Sequence, residues 1–193
     1  MENKVFIVAS PLETNGAKTI LGYDVIYSGI GKINATIAAM TAIKNSQKLY
    51  TEIINIGSCG SHNITQGELV KVGQVYQDID LTPLTSYGET LFEPNSKQID
   101  LDLNSSVSCF TTDYFVDKNQ YNKYSDYYLS MVEDCSIFDM ECYALAKVCK
   151  QFGIKFSSYK WVSDDGDGSN WEEDCKIGFN KFKDEYTSKT KTR

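Results

Sequence analysis

The chain has 193 residues, 41% hydrophobic and 23% charged, an ordinary globular mix long enough for one domain, 1–193, with a real core. A net charge of −7 argues against nucleic acid or an anionic membrane surface as partner, since both call for a basic face. No stretch approaches the ~20 apolar residues of a membrane span.

VFIVAS (5–10) is a continuous apolar run bounded by Pro11, as in a strand buried on both faces. The opening segment therefore reads as a first strand rather than a secretory leader. YDVIYSG (23–29) is a second strand. GKINATIAAMTAIKNS (31–46) places Ile33, Ile37, Met40 and Ala42–Ile43 at helical spacing after a Gly-x-Gly turn. EIINIGSCG (52–60) is an apolar strand ending in glycines, ELVKVGQVYQDIDL (68–81) alternates as a strand, and 82–104 reads as a loop. SSVSCFTTD (105–113) is a further strand, and 119–131 a short tyrosine-rich helix. FDMECYALAKVCKQFG (138–153) reads as a helix with an apolar stripe of Ala144, Leu145, Val148 and Phe152, closed by Gly153. IKFSSYKWVSD (154–164) is a strand, and 169–186 a terminal helix capped by Ser169 or Asn170 with Glu172 and Glu173 in its first turn. Strands alternating with helices predict an α/β fold with a parallel or mixed sheet, and polar residues gather after the strand ends, where such sheets bind ligands.

The six cysteines make no C-x-x-C pair, so no zinc pattern is present and no metal or cofactor is expected. Several lie in apolar patterns as small hydrophobes, in keeping with a reduced, cytoplasmic protein.

Four motifs carry polar chemistry. SGIGK (28–32) can turn backbone N–H groups toward an anion or a ribose, but lacks the rest of a P-loop or dinucleotide fingerprint and by itself reads as a structural turn. NIGSCGS (55–61) sets Ser58 after a buried strand. The only histidine, His62, follows four residues later in a polar loop and reads as exposed. In WVSDDGDGSNWEED (161–174), residues 163–174 match part of a calcium loop, but the incoming IKFSSYKWV reads as a strand where a calcium hand needs a helix. An acid at the end of a buried strand, Asp164, suits catalysis better. Last, Asp139 and Glu141 open a helix. Asp139 suits the helix dipole, whereas Glu141 falls on the apolar stripe and needs a buried partner.

SGIGK, INIGSCG, TTDYFV, DMECYALA and WVSD, in this order and spacing, resemble the nucleoside phosphorylase/nucleosidase superfamily, nearest to its 5′-methylthioadenosine/S-adenosylhomocysteine nucleosidases. The resemblance runs from Val5 to about Tyr186, and relative to it the short segment between Glu13 and Tyr23 leaves a hairpin missing. It implies a single domain built on a twisted mixed β-sheet, partly closed into a barrel and flanked by helices. It implies that Glu141 hydrogen-bonds the ribose hydroxyls with Met140 on the sugar. Asp164, after Ser163, would be the general acid at purine N7. Phe115 and Val116 would cover the base, and Glu13 would orient the attacking water. Ser58, Gly60 and Ile30 would line the site with the glycine turn. Catalysis would rest on Asp164, Glu13 and Glu141, without metal or cofactor, on a small purine nucleoside such as an adenine nucleoside. The partner implied is a second copy in a homodimer or larger assembly, with tyrosines near 121–128 and the 82–94 loop as the expected contact.

The residue types suit glycosidic cleavage. An oxocarbenium-like state forms, the departing purine needs a proton, and a carboxylate opposite can deprotonate water. The same scaffold supports phosphorolysis, for which arginine forks suit phosphate oxygens. The only arginine is Arg193, so water is the expected nucleophile, with Lys32 the one cation in the glycine turn. A phosphate-dependent phosphorylase and a non-catalytic nucleoside-binding module are the alternatives.

Overall fold

A computed structural model describes residues 2–47 and 49–191, with the side chains of 189–191 left aside; Arg193 lies outside the described residues. In chain order, β1 is Lys4–Val8, β2 Thr19–Ile20, β3 Tyr23–Tyr27 and α1 Lys32–Asn45. Then come β4 Glu52–Gly60, β5 Leu69–Lys71, β6 Gln74–Gln77, β7 Gln98–Asp100 and β8 Ser108–Thr111. Helix α2 is Asp126–Asp134, β9 Ile137–Asp139, α3 Cys142–Phe152, β10 Lys155–Asp164, α4 Trp171–Asp174 and α5 Phe179–Lys191.

Side chains of β1 alternate between two apolar layers. Val5 and Ile7 pack with Ala35 and Ala39 of α1 and with Leu145 and Cys149 of α3. Phe6 and Val8 pack with Phe179, Phe182 and Tyr186 of α5. Helices therefore cover both faces of a mixed sheet, which explains why β1 reads as a continuous apolar run and β4 as a largely apolar one. The strand order is β2-β3-β1-β4-β9-β8-β6-β7, with β10 also paired to β4 and β5 to β10. The expected α/β class holds, but the sheet is branched at β4 and open rather than closed into a barrel.

The pairing of β4 with β10 is parallel and runs from Glu52↔Lys155 to Gly60↔Asp164, with an irregularity between Val162 and Asp164. It brings the ends of both strands, Ser58–Gly60 and Ser163–Asp164, to one place. β9 meets β4 there through Gly60↔Phe138. The close approach needs a glycine, because a Cβ on Gly60 would fall 1.9 Å from the Phe138 ring.

Several elements differ from the sequence reading. A minimal hairpin, Thr19–Ile20 against Tyr23–Asp24, does exist. The predicted 68–81 strand breaks at Gly73, where a Cβ would lie 2.0 Å from the Ser105 carbonyl oxygen. The predicted 82–104 loop contains β7. The tyrosine-rich helix divides into a 3-10 turn, Lys118–Lys123, and α2. Tyr128 is buried, with the Tyr124 ring 4.6 Å from it, so part of the expected contact surface is internal. The terminal helix is interrupted before α5, where Gly178 packs against Trp161, and Asp167, rather than Ser169 or Asn170, supplies a side-chain cap. In α1 most of the predicted stripe faces outward, while its Ala42 is buried and Ile43 packs on the core. Ile33, Ile37 and Met40 are 75%, 59% and 43% exposed, while the alanines face the core. Helical spacing was right, but the smaller face lets α1 sit close to α3. In α3, Leu145 and Val148 are buried and Phe152 is exposed.

Candidate active site

FDMEC is not the start of a helix. Phe138 and Asp139 end β9, Met140 and Glu141 make the turn, and α3 begins at Cys142. Glu141 therefore points inward from a strand-to-helix junction (φ −133°, ψ −31°), not from a helical stripe. Its Oε1 accepts from the Gly31 N–H at 2.9 Å, at the N-terminus of α1. The SGIGK turn thus gives an amide to a carboxylate of the chain itself. Lys32 is also engaged, donating to the Asp78 carbonyl at 3.0 Å and pairing with Asp113 at 3.1 Å.

Asp139 is not a surface acid at a helix dipole. It is buried, accepts from the Cys142 N–H at 2.9 Å and from Thr111 at 2.7 Å, and pairs with Lys160 at 2.7 Å. Lys160, on β10, is the one buried lysine among the described side chains, and its Nζ stands 4.0 Å from Glu141 Oε2. It holds Asp139 below the ordinary carboxylate range despite burial. Burial pushes Glu141 up to about 7, with Lys160 opposing and Asp139 reinforcing the rise.

Glu13 follows Ser10 at the spacing of a capping box. The Ser10 N–H donates to Glu13 Oε2 at 3.0 Å, and Ser10 Oγ accepts from the Leu12 N–H at 3.2 Å. Glu13 Oε1 accepts from both the N–H and the hydroxyl of Ser58, at 2.7 and 2.8 Å. Gly57 makes room for it, since a Cβ there would fall 2.7 Å from Oε1. Burial raises the Glu13 carboxyl, against Lys160 and these donors. One lone pair on Oε2 is left for another donor. Trp171 on α4 donates through Nε1 to Ser58 Oγ at 3.1 Å.

Asp164 closes β10. Its Oδ2 accepts from Ser163 Oγ at 2.8 Å and its Oδ1 from the Gly166 N–H at 3.0 Å. Burial raises its carboxyl above the usual range, against these two donors. The calcium reading fails on this geometry: a strand precedes the loop, Ser163 turns inward to Cys59 O and Asp164, and Asp165 is taken by Lys118 at 2.6 Å.

A cavity of about 140 Å³ is lined by all three acids, Glu13, Glu141 and Asp164. Ile30, Ser58, Gly60, Phe115, Val116, Met140 and Ser163 line it as well, so the structure brings every sequence-predicted site residue together. Sequence reasoning missed Trp171, and gave Lys160 no part. Trp171 left no spacing signal, whereas a lysine inside the apolar run FSSYKWV was a sign of a buried partner. Ser58 pairs with Trp161 and Gly60 with Asp164, so the Glu13–Ser58 end and the Asp164 end lie roughly 7 Å apart along the strands. That spacing admits a scissile bond with a donor at one end and a water at the other.

Cys109, Asp139 and Cys142 bring possible metal ligands within 4.8 Å of one another. Lys160 already occupies the cation's place at Asp139, and burial pushes the Cys109 thiol well up, so the group suits a lysine better than a metal ion.

An open mixed α/β sheet with acids gathered at its strand ends around one cavity is the arrangement in which such folds bind small ligands. The chain belongs to the phosphorylase superfamily, whose sequence model matches residues 11–188. It is 25% identical to a 5′-methylthioadenosine/S-adenosylhomocysteine nucleosidase of Bacillus cereus (strain G9842), covering 96% of this chain and 89% of the relative. Among solved structures it resembles futalosine hydrolase of Helicobacter pylori strain 26695, with TM-score 0.71, 18% identity, and 95% and 91% of the two chains covered. It also resembles the 5′-methylthioadenosine/S-adenosylhomocysteine nucleosidase of Colwellia psychrerythraea 34H in complex with adenine, with TM-score 0.72, 21% identity, and 94% and 88% covered.

Proposed function

We propose that this protein is a purine nucleosidase that hydrolyses the N-glycosidic bond of an adenine nucleoside such as 5′-methylthioadenosine or S-adenosylhomocysteine, releasing adenine. The observation that carries the reading is that Glu13, Glu141 and Asp164 line one cavity, with Glu13 held by Ser58 and Asp164 at the end of the neighbouring strand. Burial raises the Asp164 carboxyl above its ordinary value, which suits it to donate to purine N7 and spare the base from leaving as an anion. Glu13 directs its remaining lone pair at a water and accepts the proton as the water attacks C1′. Glu141 accepts from the ribose hydroxyls, and these bonds tighten as the sugar gains positive charge. Phe115 and Val116 cover the base and Met140 the sugar.

Water is favoured over phosphate because no arginine lies among the described residues and Lys32 is occupied. A Glu13 carboxylate at the nucleophile's side would also repel a phosphate. The likeness to a futalosine hydrolase supports a second reading, in which the substrate is a different nucleoside. The protein acts as a homodimer in the cytoplasm on this reading. The outward apolar side chains of α1 and the six free, buried cysteines support those two points respectively.

The test is incubation with 5′-methylthioadenosine, S-adenosylhomocysteine, adenosine and inosine, with and without phosphate, resolving base and sugar by chromatography. Free adenine and free sugar without phosphate are expected. Release only with phosphate, as a sugar 1-phosphate, or no release at all, overturns the reading.

A further inference from the structure

His62 lies at the surface, yet both of its ring nitrogens are engaged. Nδ1 stands 2.8 Å from the Asp165 carbonyl oxygen, which can only accept, so Nδ1 carries the proton. In the neutral ring Nε2 then accepts from the Tyr121 hydroxyl at 2.6 Å. Lys118 repeats the tie. Its Nζ pairs with Asp165 at 2.6 Å, and its N–H donates to the Gly166 carbonyl at 3.0 Å. Gly166 has φ +91°, and a Cβ there would stand 3.0 Å from His62 Cε1, so the turn closes directly on the ring. Gly168 lies against the Phe115 ring, where a Cβ would fall 2.0 Å from Cε1. The ring of His62 also packs 5.2 Å from that of Phe138, a cavity wall.

The turn held in this way is the one that aims Asp164, because the Gly166 N–H donates to Asp164 Oδ1. We propose that His62 is a positioning residue for Asp164: with Tyr121 it pins the Asp165–Gly168 turn to the segment bearing Phe115, so that the acid and the cover of the base are held as one unit. This rests on the nucleosidase reading above and assigns a role that reading does not need. Surface hydrogen bonds add little to global stability, but a displacement of about 1 Å in a proton donor costs on the order of 10²-fold in rate.

The experiment compares wild type, His62→Ala, His62→Asn and Tyr121→Phe on the adenine nucleoside and on 4-nitrophenyl β-D-ribofuranoside, whose leaving group departs as a stable anion without an acid. His62→Ala is expected to lose roughly 30-fold in kcat on the nucleoside, with KM within about 3-fold, and to keep its rate on the nitrophenyl riboside within about 3-fold. His62→Asn, whose amide can stand where Nδ1–H stood, recovers most of the loss, and Tyr121→Phe shows a smaller loss of the same pattern. An equal fall on both substrates, or a nucleoside loss confined to KM, overturns the positioning role, as does His62→Ala at the wild-type rate. A wild type that releases no base from any purine nucleoside overturns the functional reading itself, and this proposal with it.

Discussion

Glu141→Gln separates the electrostatics of the site from its chemistry, because its effect on stability needs no substrate. Burial raises the Glu141 carboxyl from an ordinary 4.5 to about 7. An acid whose native pKa lies above its unfolded value is penalised once pH exceeds the unfolded value, and the penalty is complete above the native one. Wild type therefore loses stability through this group between pH 4.5 and about 7. Glutamine does not titrate, and its Oε1 can still accept from the Gly31 N–H. Between about pH 5 and pH 8 the variant should gain on wild type by about 2–3 kcal/mol, a change in the melting-temperature difference of roughly 5–10 °C for a chain of this size. Thermal denaturation followed by circular dichroism at the two pH values reads this directly. A pH-independent difference would refute the reasoning, and would show that Lys160 keeps Glu141 ionised across this range.

Lys160→Met should destabilise the protein by about 3–5 kcal/mol in chemical denaturation, because it leaves the buried Asp139 carboxylate unpaired. Adding Asp139→Asn should recover much of that loss, and an additive double variant would contradict the pairing. Glu13→Gln keeps an acceptor for Ser58 but cannot take a proton, so kcat should fall by about 10²-fold or more with KM little changed; a change confined to KM would argue against a base. Gly57→Ala should act like a milder Glu13 variant, since its Cβ would meet Glu13 Oε1 at 2.7 Å. Retention of the full wild-type rate would show that Glu13 need not sit where it does.

Much of the fold was legible because both faces of the sheet are covered: VFIVA is a continuous apolar run closed by Ser10 and Pro11, and EIINIG is apolar apart from Glu52 and Asn55 and ends in a glycine. What periodicity could not settle was which face of a helix is buried. α1 carries an isoleucine face and an alanine face, and the fold chose alanine because α3 lies close. The site residues were named from ordered motifs rather than from local pattern, and the chain brings them to one cavity. The reason first given for Glu141, a helical stripe, was wrong: local spacing could not reveal a turn in which the α1 N-terminus and Lys160 meet that acid. Nor could it reveal the pairing of Lys160 with Asp139, made between residues distant in sequence. The S-x-x-E spacing of Ser10 and Glu13 was readable as a capping box, and it explains how the acid is oriented before any substrate arrives.

The most direct measurement of the central claim is adenine release from 5′-methylthioadenosine in phosphate-free buffer by wild type and by Asp164→Asn, side by side. Wild type should release adenine with free methylthioribose, and the variant should retain about 1% of that rate or less, because its amide has no acidic proton to give the base. Equal rates for the two proteins would contradict the assignment of Asp164 as the acid, and an inactive wild type would contradict hydrolysis of this nucleoside.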